Sequence, residues 1–194
     1  MLFGGQVYSV LIVSQSEKMT TSLRSILPES HYEPILCVQS ADSARRAMLD
    51  RSFDIVIVNS PLSDDYGTAA ALDASSRDGS VAMLIVKNED FEQIYERVVD
   101  FGVYVLPKPI SMQTASLALK WGCATRERLR KIGAKSKSLD EKMAEIRTVN
   151  KAKWLLITNL KMTESEAHRY IEKQAMDTCA PKTEIANNII KTYS

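Results

Sequence analysis

The sequence predicts an α/β domain with a five-stranded parallel sheet, followed by a long helix and two short helices. Five short apolar runs occur in the first 110 residues, and segments with helical spacing separate them. Strands buried on both faces read as continuous apolar runs, and their alternation with helices is typical of a parallel sheet. Residues 111–160 contain no proline, which favours one long helix, with Gly122 and Gly133 as points where it could be interrupted.

The predicted strands are short and rich in valine, isoleucine and leucine, as expected for strands buried on both faces. They are residues 8–13, 34–38, 54–58, 81–86 and 103–106. Between them, apolar residues recur at helical spacing in residues 17–27, 41–49, 69–75 and 90–101.

Two amphipathic helices are predicted in residues 161–193. Thr163 followed by Glu166 has the form of a capping box, so the first helix should begin there. Pro181 suits the first turn of the second helix, because a proline there loses no hydrogen bond. Both helices are too short to be stable alone in water, so they need the end of the long helix to pack on. The residues expected to make this contact are Trp154, Leu155, Ile157 and Leu160.

Composition places the chain among globular proteins. An apolar share of 45% and a charged share of 25% are ordinary for that class. No apolar run approaches the roughly 20 residues of a membrane span, and the N-terminus lacks the pattern of a signal peptide. The three cysteines are odd in number and far apart, and the two histidines are isolated. We therefore expect a cytoplasmic protein without a membrane anchor, a disulfide framework or a metal cluster.

The net charge of +1 conceals an asymmetry. Residues 1–120 carry ten Lys and Arg against fifteen Asp and Glu, whereas residues 121–194 carry fifteen against nine. A basic C-terminal part suggests a polyanion such as nucleic acid as partner, and a solvated helical surface is the alternative.

The carboxyl ends of parallel strands are where such a sheet places its functional side chains. Asn59 follows the third strand, Gly67 comes eight residues later, and the fifth strand is followed by Lys108 and Pro109. Over residues 6–120 this order resembles a response-regulator receiver domain, in which an aspartate stands at the position of Asn59 and the Lys-Pro bond is cis. The resemblance implies a flavodoxin-like fold for residues 1–120.

The match departs from the receiver pattern at the residues that carry its chemistry. The phosphoacceptor position holds Asn59, whose amide is a poor nucleophile, and Ser14 and Gln15 replace the acidic pair after the first strand. Mg²⁺ prefers anionic oxygen ligands, so this set should bind it poorly. Val86 takes the place of the Thr or Ser after the fourth strand. We therefore expect a degenerate receiver that takes no phosphate from a histidine kinase or acetyl phosphate. It would instead serve dimerisation, docking, or a response to a sensor protein or ligand.

Among the residues that carry the receiver's chemistry, Lys108 is the one that is kept. It has two interpretations: a switch contact that hydrogen-bonds Asn59, or a lysine that caps the strand ends. Asp64 and Asp65 could supply a replacement carboxylate, although acidic residues in a turn are usually solvated. No nucleophile–base pair is visible, so we expect no enzymatic activity, no cofactor and no metal ion.

Apolar residues recur at four-three spacing along the predicted long helix. This seam favours a parallel coiled coil and hence a homodimer, and the alternative is a helix packed back on its own receiver. Asparagine at a core position often fixes a two-stranded register. The seam positions are Leu129, Ile132, Ser136, Leu139, Met143, Ile146, Asn150, Lys153, Ile157 and Leu160.

Residues 140–194 carry the pattern E-A-x-x-x-I-x-x-x-A-M-D followed by I-A-x-x-I-I. Preceded by Lys151-Ala-Lys-Trp154, this pattern resembles the ANTAR domain, an all-α three-helix RNA-binding module of transcription antiterminators. The resemblance implies a receiver-like domain over residues 1–120, a helical coiled-coil linker over 121–139 and an ANTAR-like domain over 140–194. It also implies binding to hairpins in nascent mRNA and antitermination, within a two-component type of regulator.

Three cations in the last two helices suit RNA phosphates. Arg169 and Lys173 are four residues apart and share a helical face. Lys182 lies near the start of the last helix, where free N–H groups and the helix dipole favour anions. A solvated surface is the alternative for all three.

Three further residues are candidates for contact with loop bases. Tyr170 would stack a base, as aromatic side chains do in RNA sites, or would be a core aromatic. Ala167 and Met176 would lie against a base if they face outwards, and core packing is the alternative for Ala167.

Two other functions remain open from the sequence. A DNA-binding response regulator is one, since a three-helix module can resemble a helix-turn-helix, although neither helix begins with a cluster of base-reading Arg, Asn or Gln. A protein-interaction adaptor without nucleic acid is the other.

Overall fold

The computed structural model describes residues 6–77 and 79–193 of the chain. The chain divides into two compact units, residues 1–133 and residues 134–194. The first unit holds a parallel sheet, and the second holds packed helices. Among the described residues, no helix has both the length and the apolar content that crossing a membrane requires.

The sheet of the first unit has five parallel strands in the order β2-β1-β3-β4-β5, which confirms the predicted α/β class. Each strand begins and ends within two residues of its predicted run. The strands are β1 (Tyr8–Ser14), β2 (Tyr32–Val38), β3 (Ile55–Asn59), β4 (Val81–Lys87) and β5 (Tyr104–Lys108).

The helices between the strands are α1 (Glu17–Ser25), α2 (Ala41–Asp50), α3 (Thr68–Ser75) and α4 (Phe91–Val98). Ser16 caps α1 and Ser40 caps α2, and each hydroxyl accepts a backbone N–H of the first turn. Such caps satisfy donors that have no partner inside the helix. The helix predicted over residues 90–101 is shorter than expected, because a 3₁₀ turn (Val99–Phe101) follows α4.

Two apolar clusters cover the two faces of the sheet. Successive residues of a strand point to opposite faces, so Val56 and Val58 lie in one cluster while Ile55 and Ile57 lie in the other. This alternation explains why β3 has no polar position before Asn59. It also determines which face each residue at the strand ends can reach.

The turn after β3 requires a glycine. Gly67 has a φ of +97°, a left-handed conformation that side chains with a Cβ rarely adopt. A Cβ at this position would also lie 2.8 Å from Cγ1 of Val58. Gly67 therefore fixes the path of the loop between Asn59 and α3.

The predicted long helix is α5 (Met112–Leu160), which is uninterrupted at Gly122 and Gly133. Gly122 serves close packing rather than a break, because a Cβ there would overlap the side chain of Met83 on β4. The first part of α5 covers one face of the sheet through Ala115, Ala118 and Leu119.

The second unit contains the end of α5 together with α6 (Glu164–Asp177) and α7 (Lys182–Tyr193). The capping box before α6 is confirmed: the N–H of Glu166 donates to Oγ1 of Thr163, and the N–H of Thr163 donates to Oε2 of Glu166 at 2.8 Å. The Thr163 contact lowers the pKa of Glu166, chiefly through the backbone N–H. Helix α7 begins directly after Pro181.

Small and branched residues form the core of the second unit. The expected contribution of Trp154 is wrong, because its side chain is 63% exposed, and Leu160 is also exposed. Leu156 takes that place, since it lies two residues from Trp154 and thus about 200° around the helix. The buried residues of this core are Ala152, Leu156, Ala167, Ile171, Ala175, Ile185, Ala186 and Ile189.

Candidate functional site

Ser14 and Asn59 meet at the carboxyl edge of the sheet. They are paired in register at the ends of β1 and β3, and both are buried. Nδ2 of Asn59 donates to Oγ of Ser14 at 3.0 Å, while Oδ1 of Asn59 has no hydrogen-bond partner among the described residues. An amide and a hydroxyl thus stand where a receiver has carboxylates.

The other positions of this edge are not brought together as expected. Gln15 is exposed, whereas Val86 is buried in the cluster that contains Val58. Strand alternation therefore puts Val86 on the opposite face of the sheet from Asn59. Lys87 is the last β4 residue on the Asn59 face, and it pairs in register with Lys108. Counting the alternation along β4 would have found Lys87 from the sequence.

Lys108 contacts the strand end rather than Asn59. Its ammonium group donates to the backbone carbonyl of Ser60, and the Lys108–Pro109 bond is cis, as the receiver resemblance implied. Burial and the positive charge of Lys87 both lower the pKa of Lys108. The geometry corresponds to the capping interpretation of this lysine.

Asp64 and Asp65 serve the loop and do not replace the missing carboxylates. Oδ1 and Oδ2 of Asp64 accept the backbone N–H groups of Ala41 and Asp42 at the start of α2, at 2.9 and 3.0 Å. These two N–H groups lower the pKa of Asp64. Asp65 lies 3.9 Å from the guanidinium of Arg45.

The receiver resemblance implies a Mg²⁺ ion at this edge, and the residues do not fit it. Ser14, Gln15 and Asn59 offer neutral oxygens, and Lys108 holds a positive charge at the carbonyl of Ser60, the residue after Asn59. Mg²⁺ is held in proteins by carboxylates that offset its charge. Within residues 6–77 and 79–193, no cluster of three or more His, Cys, Asp or Glu suited to a metal ion is found.

In the second unit, α6 separates the candidate RNA-contact residues by face. Ala167 is 0% exposed and packs with Ile171 and Ala175, so the expectation that it touches RNA is wrong. A side chain that is fully enclosed by its own core cannot reach a ligand.

Arg169, Lys173 and Met176 lie on the face of α6 that points away from this core. Their spacing of four and three residues keeps them on one side of the helix. All three are exposed, Met176 to 78%. Within the described residues, neither Arg169 nor Lys173 has an ion-pair partner, so both charges are available to a ligand.

Tyr170 lies at the edge of that face. Its side chain is 39% exposed, so part of it is accessible to a ligand. An aromatic ring with this exposure can stack on an unpaired base.

Lys182 is on another side of the unit. Its ammonium group lies 2.6 Å from Oε1 of Glu172, which also lies 3.2 Å from Nε2 of His168. The hydrogen bond from Lys182 is the main reason why the pKa of Glu172 is lowered. Lys182 and His168 line a cleft of about 460 Å³ beside Asn150.

Trp154 is a candidate that the sequence interpretation missed. Its ring is exposed on the side of α5 that faces away from Ala152 and Leu156. The exposure of Trp154 follows from the burial of Leu156, because two residues correspond to about 200° around the helix. An exposed tryptophan offers a large flat surface for a base.

Comparisons with known proteins agree with this division of the chain. Residues 137–190 match the ANTAR domain family. Transcriptional regulatory protein PdtaR of Mycobacterium tuberculosis is 25% identical over 186 residues, which cover 94% of this chain and 89% of PdtaR.

Solved structures resemble the first unit. The signal receiver domain of an HD domain-containing protein from Pseudomonas fluorescens covers 64% of this chain and 93% of its own, with a TM-score of 0.57 and 20% identity. Chemotaxis response regulator CheY4 of Vibrio cholerae covers 60% of this chain and 98% of its own, with a TM-score of 0.53 and 16% identity. The first unit therefore has a receiver-type fold, and residues 137–190 match the ANTAR domain family.

Proposed function

We propose that this protein is a transcription antitermination regulator whose ANTAR domain binds hairpins in nascent mRNA. One observation carries the proposal: Arg169, Lys173 and Met176 form a single exposed face of α6 within the ANTAR domain. The relative PdtaR, a transcriptional regulatory protein, supports a role in transcription. The protein acts by binding and needs no catalytic group.

The proposed RNA contacts divide into two kinds. Arg169 and Lys173 bind phosphates of the hairpin stem, since a four-residue spacing sets their Cα atoms about 6 Å apart along the helix. Tyr170 stacks on a loop base, and the side chain of Met176 covers the apolar surface of a base. Shape, phosphates and unpaired loop bases are the features by which proteins read RNA hairpins.

The first unit acts without phosphorylation in this proposal. Asn59 cannot form an acyl phosphate, and the neutral set around it does not attract Mg²⁺. A sensor protein or a ligand that binds the receiver fold, rather than a phosphoryl group, supplies the input. The unit also brings two chains together through the helix that leaves it.

The seam of α5 supports a homodimer. Ile132 in the first unit and Leu139, Met143 and Ile146 in the second are large apolar side chains that the monomer leaves more than half exposed. A parallel second copy would cover them in a coiled coil. Two RNA sites on one dimer gain effective concentration for a target with two hairpins.

Replacing Ile132 and Met143 together by glutamate is expected to convert the dimer to a monomer. Two charges in the seam of each helix repel those of the partner and would be buried without a counterion. Sedimentation velocity measures the mass of the wild type and of the variant. Ala134→Glu with Ser138→Glu is the matched control, because these exposed residues lie on the opposite side of α5 and should leave the dimer intact. A monomeric wild type would contradict the coiled coil.

The central test is binding of the full-length protein to a pool of stem-loop RNAs with randomised loops. The wild type is expected to select a defined loop sequence, and Arg169→Gln with Lys173→Gln is expected to raise the dissociation constant at least about tenfold, because two charge-assisted contacts are lost. Lys182→Gln should weaken binding less, since Glu172 already pairs its charge.

Two results would reject the function. Competition by duplex DNA as strong as by the selected RNA would identify a DNA-binding regulator. The absence of salt-dependent binding to any RNA would identify a protein-interaction adaptor.

A further inference from the structure

The positive charge of the C-terminal part lies mostly outside the ANTAR domain. Residues 137–190 carry nine Lys and Arg against eight Asp and Glu, a net charge of +1. Residues 121–136, directly before it, carry five against one, a net charge of +4. The electrostatic term in RNA binding comes from cations that neutralise phosphates. The proposed face of α6 supplies two such cations, Arg169 and Lys173, so further cations outside the ANTAR domain would add to this term.

Some cations of this stretch are already used inside the protein. Arg126 forms an ion pair with Asp54 at 2.6 Å, and Arg130 forms one with Glu127 at 2.6 Å. These contacts attach α5 to the first unit and to itself. They leave a smaller set of cations available to a partner.

That set is Arg128, Lys131 and Lys135, which we name the basic segment. All three are exposed, and none forms an ion pair with another residue in the described part of the chain. Residues 128–139 contain no Asp or Glu that would neutralise them.

In the first unit, Arg128 and Lys131 are three residues apart and share a side of α5. Lys135 follows four residues later in the sequence, in the second unit. Like charges at this spacing repel and destabilise the helix. A second copy in a parallel coiled coil adds three more positive charges nearby. A polyanion relieves this repulsion, because its phosphates neutralise the six cations and the counterions condensed on the nucleic acid are released.

We propose that the basic segment is a second RNA contact surface, outside the ANTAR domain, that binds phosphates without reading sequence. The proposal rests on the RNA binding proposed above and extends it. Arg128 offers a bidentate fork to a phosphate, and the two lysines act as point charges. The surface adds affinity and leaves loop recognition to α6.

The experiment measures how RNA affinity depends on salt for the full-length protein. The probes are the stem-loop selected from the randomised pool and poly(U), which forms no hairpin. Arg128→Gln, Lys131→Gln and Lys135→Gln are combined in one variant. The matched control replaces three exposed cations of the first unit, Lys18, Arg46 and Arg97, by glutamine.

The basic-segment variant is expected to lower the slope of log affinity against log salt by about 2 on the stem-loop, because each lost phosphate contact removes about 0.7–0.9. The preferred loop sequence should stay the same. A charge-retaining variant, Arg128→Lys with Lys131→Arg and Lys135→Arg, should keep the wild-type slope. The control should also keep it.

An unchanged slope in a variant that remains helical and dimeric would overturn the proposal, as would an equal loss in the control. Wild-type binding to poly(U) without binding to any stem-loop would reject hairpin recognition. It would still support phosphate binding by the basic segment, provided that the basic-segment variant binds poly(U) less tightly. Binding of the segment to vesicles with anionic lipid but not to either RNA would assign it to a membrane surface and overturn the RNA contact.

Discussion

Replacing Leu156 by alanine is expected to destabilise the second unit strongly while the stability of the first unit stays unchanged. Leu156 is fully buried between Ala152 and Ile171 in the core of residues 134–194. Removing such a leucine side chain costs about 3 kcal/mol, through lost burial and the cavity left behind. A unit of this size has a free energy of unfolding of about 3–9 kcal/mol, so the variant loses a large part of it. The RNA binding proposed above should weaken under conditions in which the second unit unfolds.

Each unit contains one tryptophan, so the two can be followed separately. Trp154 reports on the second unit in a Trp121→Phe background, and Trp121 reports on the first in a Trp154→Phe background. Denaturant unfolding should show an early transition for Trp154 alone when Leu156→Ala is present. Met176→Ala is the control, because an exposed side chain should change the free energy of unfolding by less than about 0.5 kcal/mol. Equal shifts at both tryptophans would contradict separate units.

The sheet could be predicted from the sequence because its strands are buried on both faces. Runs such as residues 54–58 and 81–86 are short and rich in β-branched residues, which favours strands of a covered parallel sheet over buried helices. The start of α6 was equally clear, since the capping box of Thr163 and Glu166 depends on residues three positions apart. Both patterns depend on residues that are close together in the chain, so both can be recognised in the sequence alone.

The buried faces of α6 and of the end of α5 were less predictable from the sequence. Trp154, Leu155, Leu156 and Ile157 are consecutive apolar residues, and at about 100° per residue they point in nearly every direction around the helix. Periodicity therefore does not identify which one is buried. The position of Ala167 depends on α7 packing against it, which no short pattern contains.

At the carboxyl edge of the sheet, the sequence predicted where Ser14 and Asn59 lie. It did not predict the hydrogen-bond partners of the side chains around them. The ends of β1 and β3 had to meet, so Ser14 and Asn59 were brought together as neighbouring strand ends. The hydrogen bond from Lys108 to the carbonyl of Ser60 depends on the distance between two segments that are far apart in the chain. The use of Asp64 as a cap for α2 has the same origin.

The wild type is expected to form no phosphoprotein with acetyl phosphate, and Asn59→Asp alone is expected to form none either. A single carboxylate would be buried beside the hydroxyl of Ser14, with no second anionic ligand to hold Mg²⁺. Burial also favours the protonated acid, which is a poorer nucleophile. The combined variant Ser14→Asp, Gln15→Asp and Asn59→Asp supplies three carboxylates at one edge of the sheet, which is the donor set that the cation needs.

Mg²⁺ should raise the free energy of unfolding of the triple variant by about 1.4 kcal/mol at ten times its dissociation constant and leave the wild type unchanged. Without Mg²⁺ the triple variant should be the less stable protein, because three carboxylates repel one another. Thermal unfolding with Mg²⁺ and with a chelator measures both effects, and Ca²⁺ tests whether the ion is chosen by size. A phosphoprotein in the wild type that disappears in Asn59→Ala would show that the amide position still accepts phosphate. In that case phosphorylation would be the input, and the neutral side chains at the sheet edge would not prevent phosphoryl transfer.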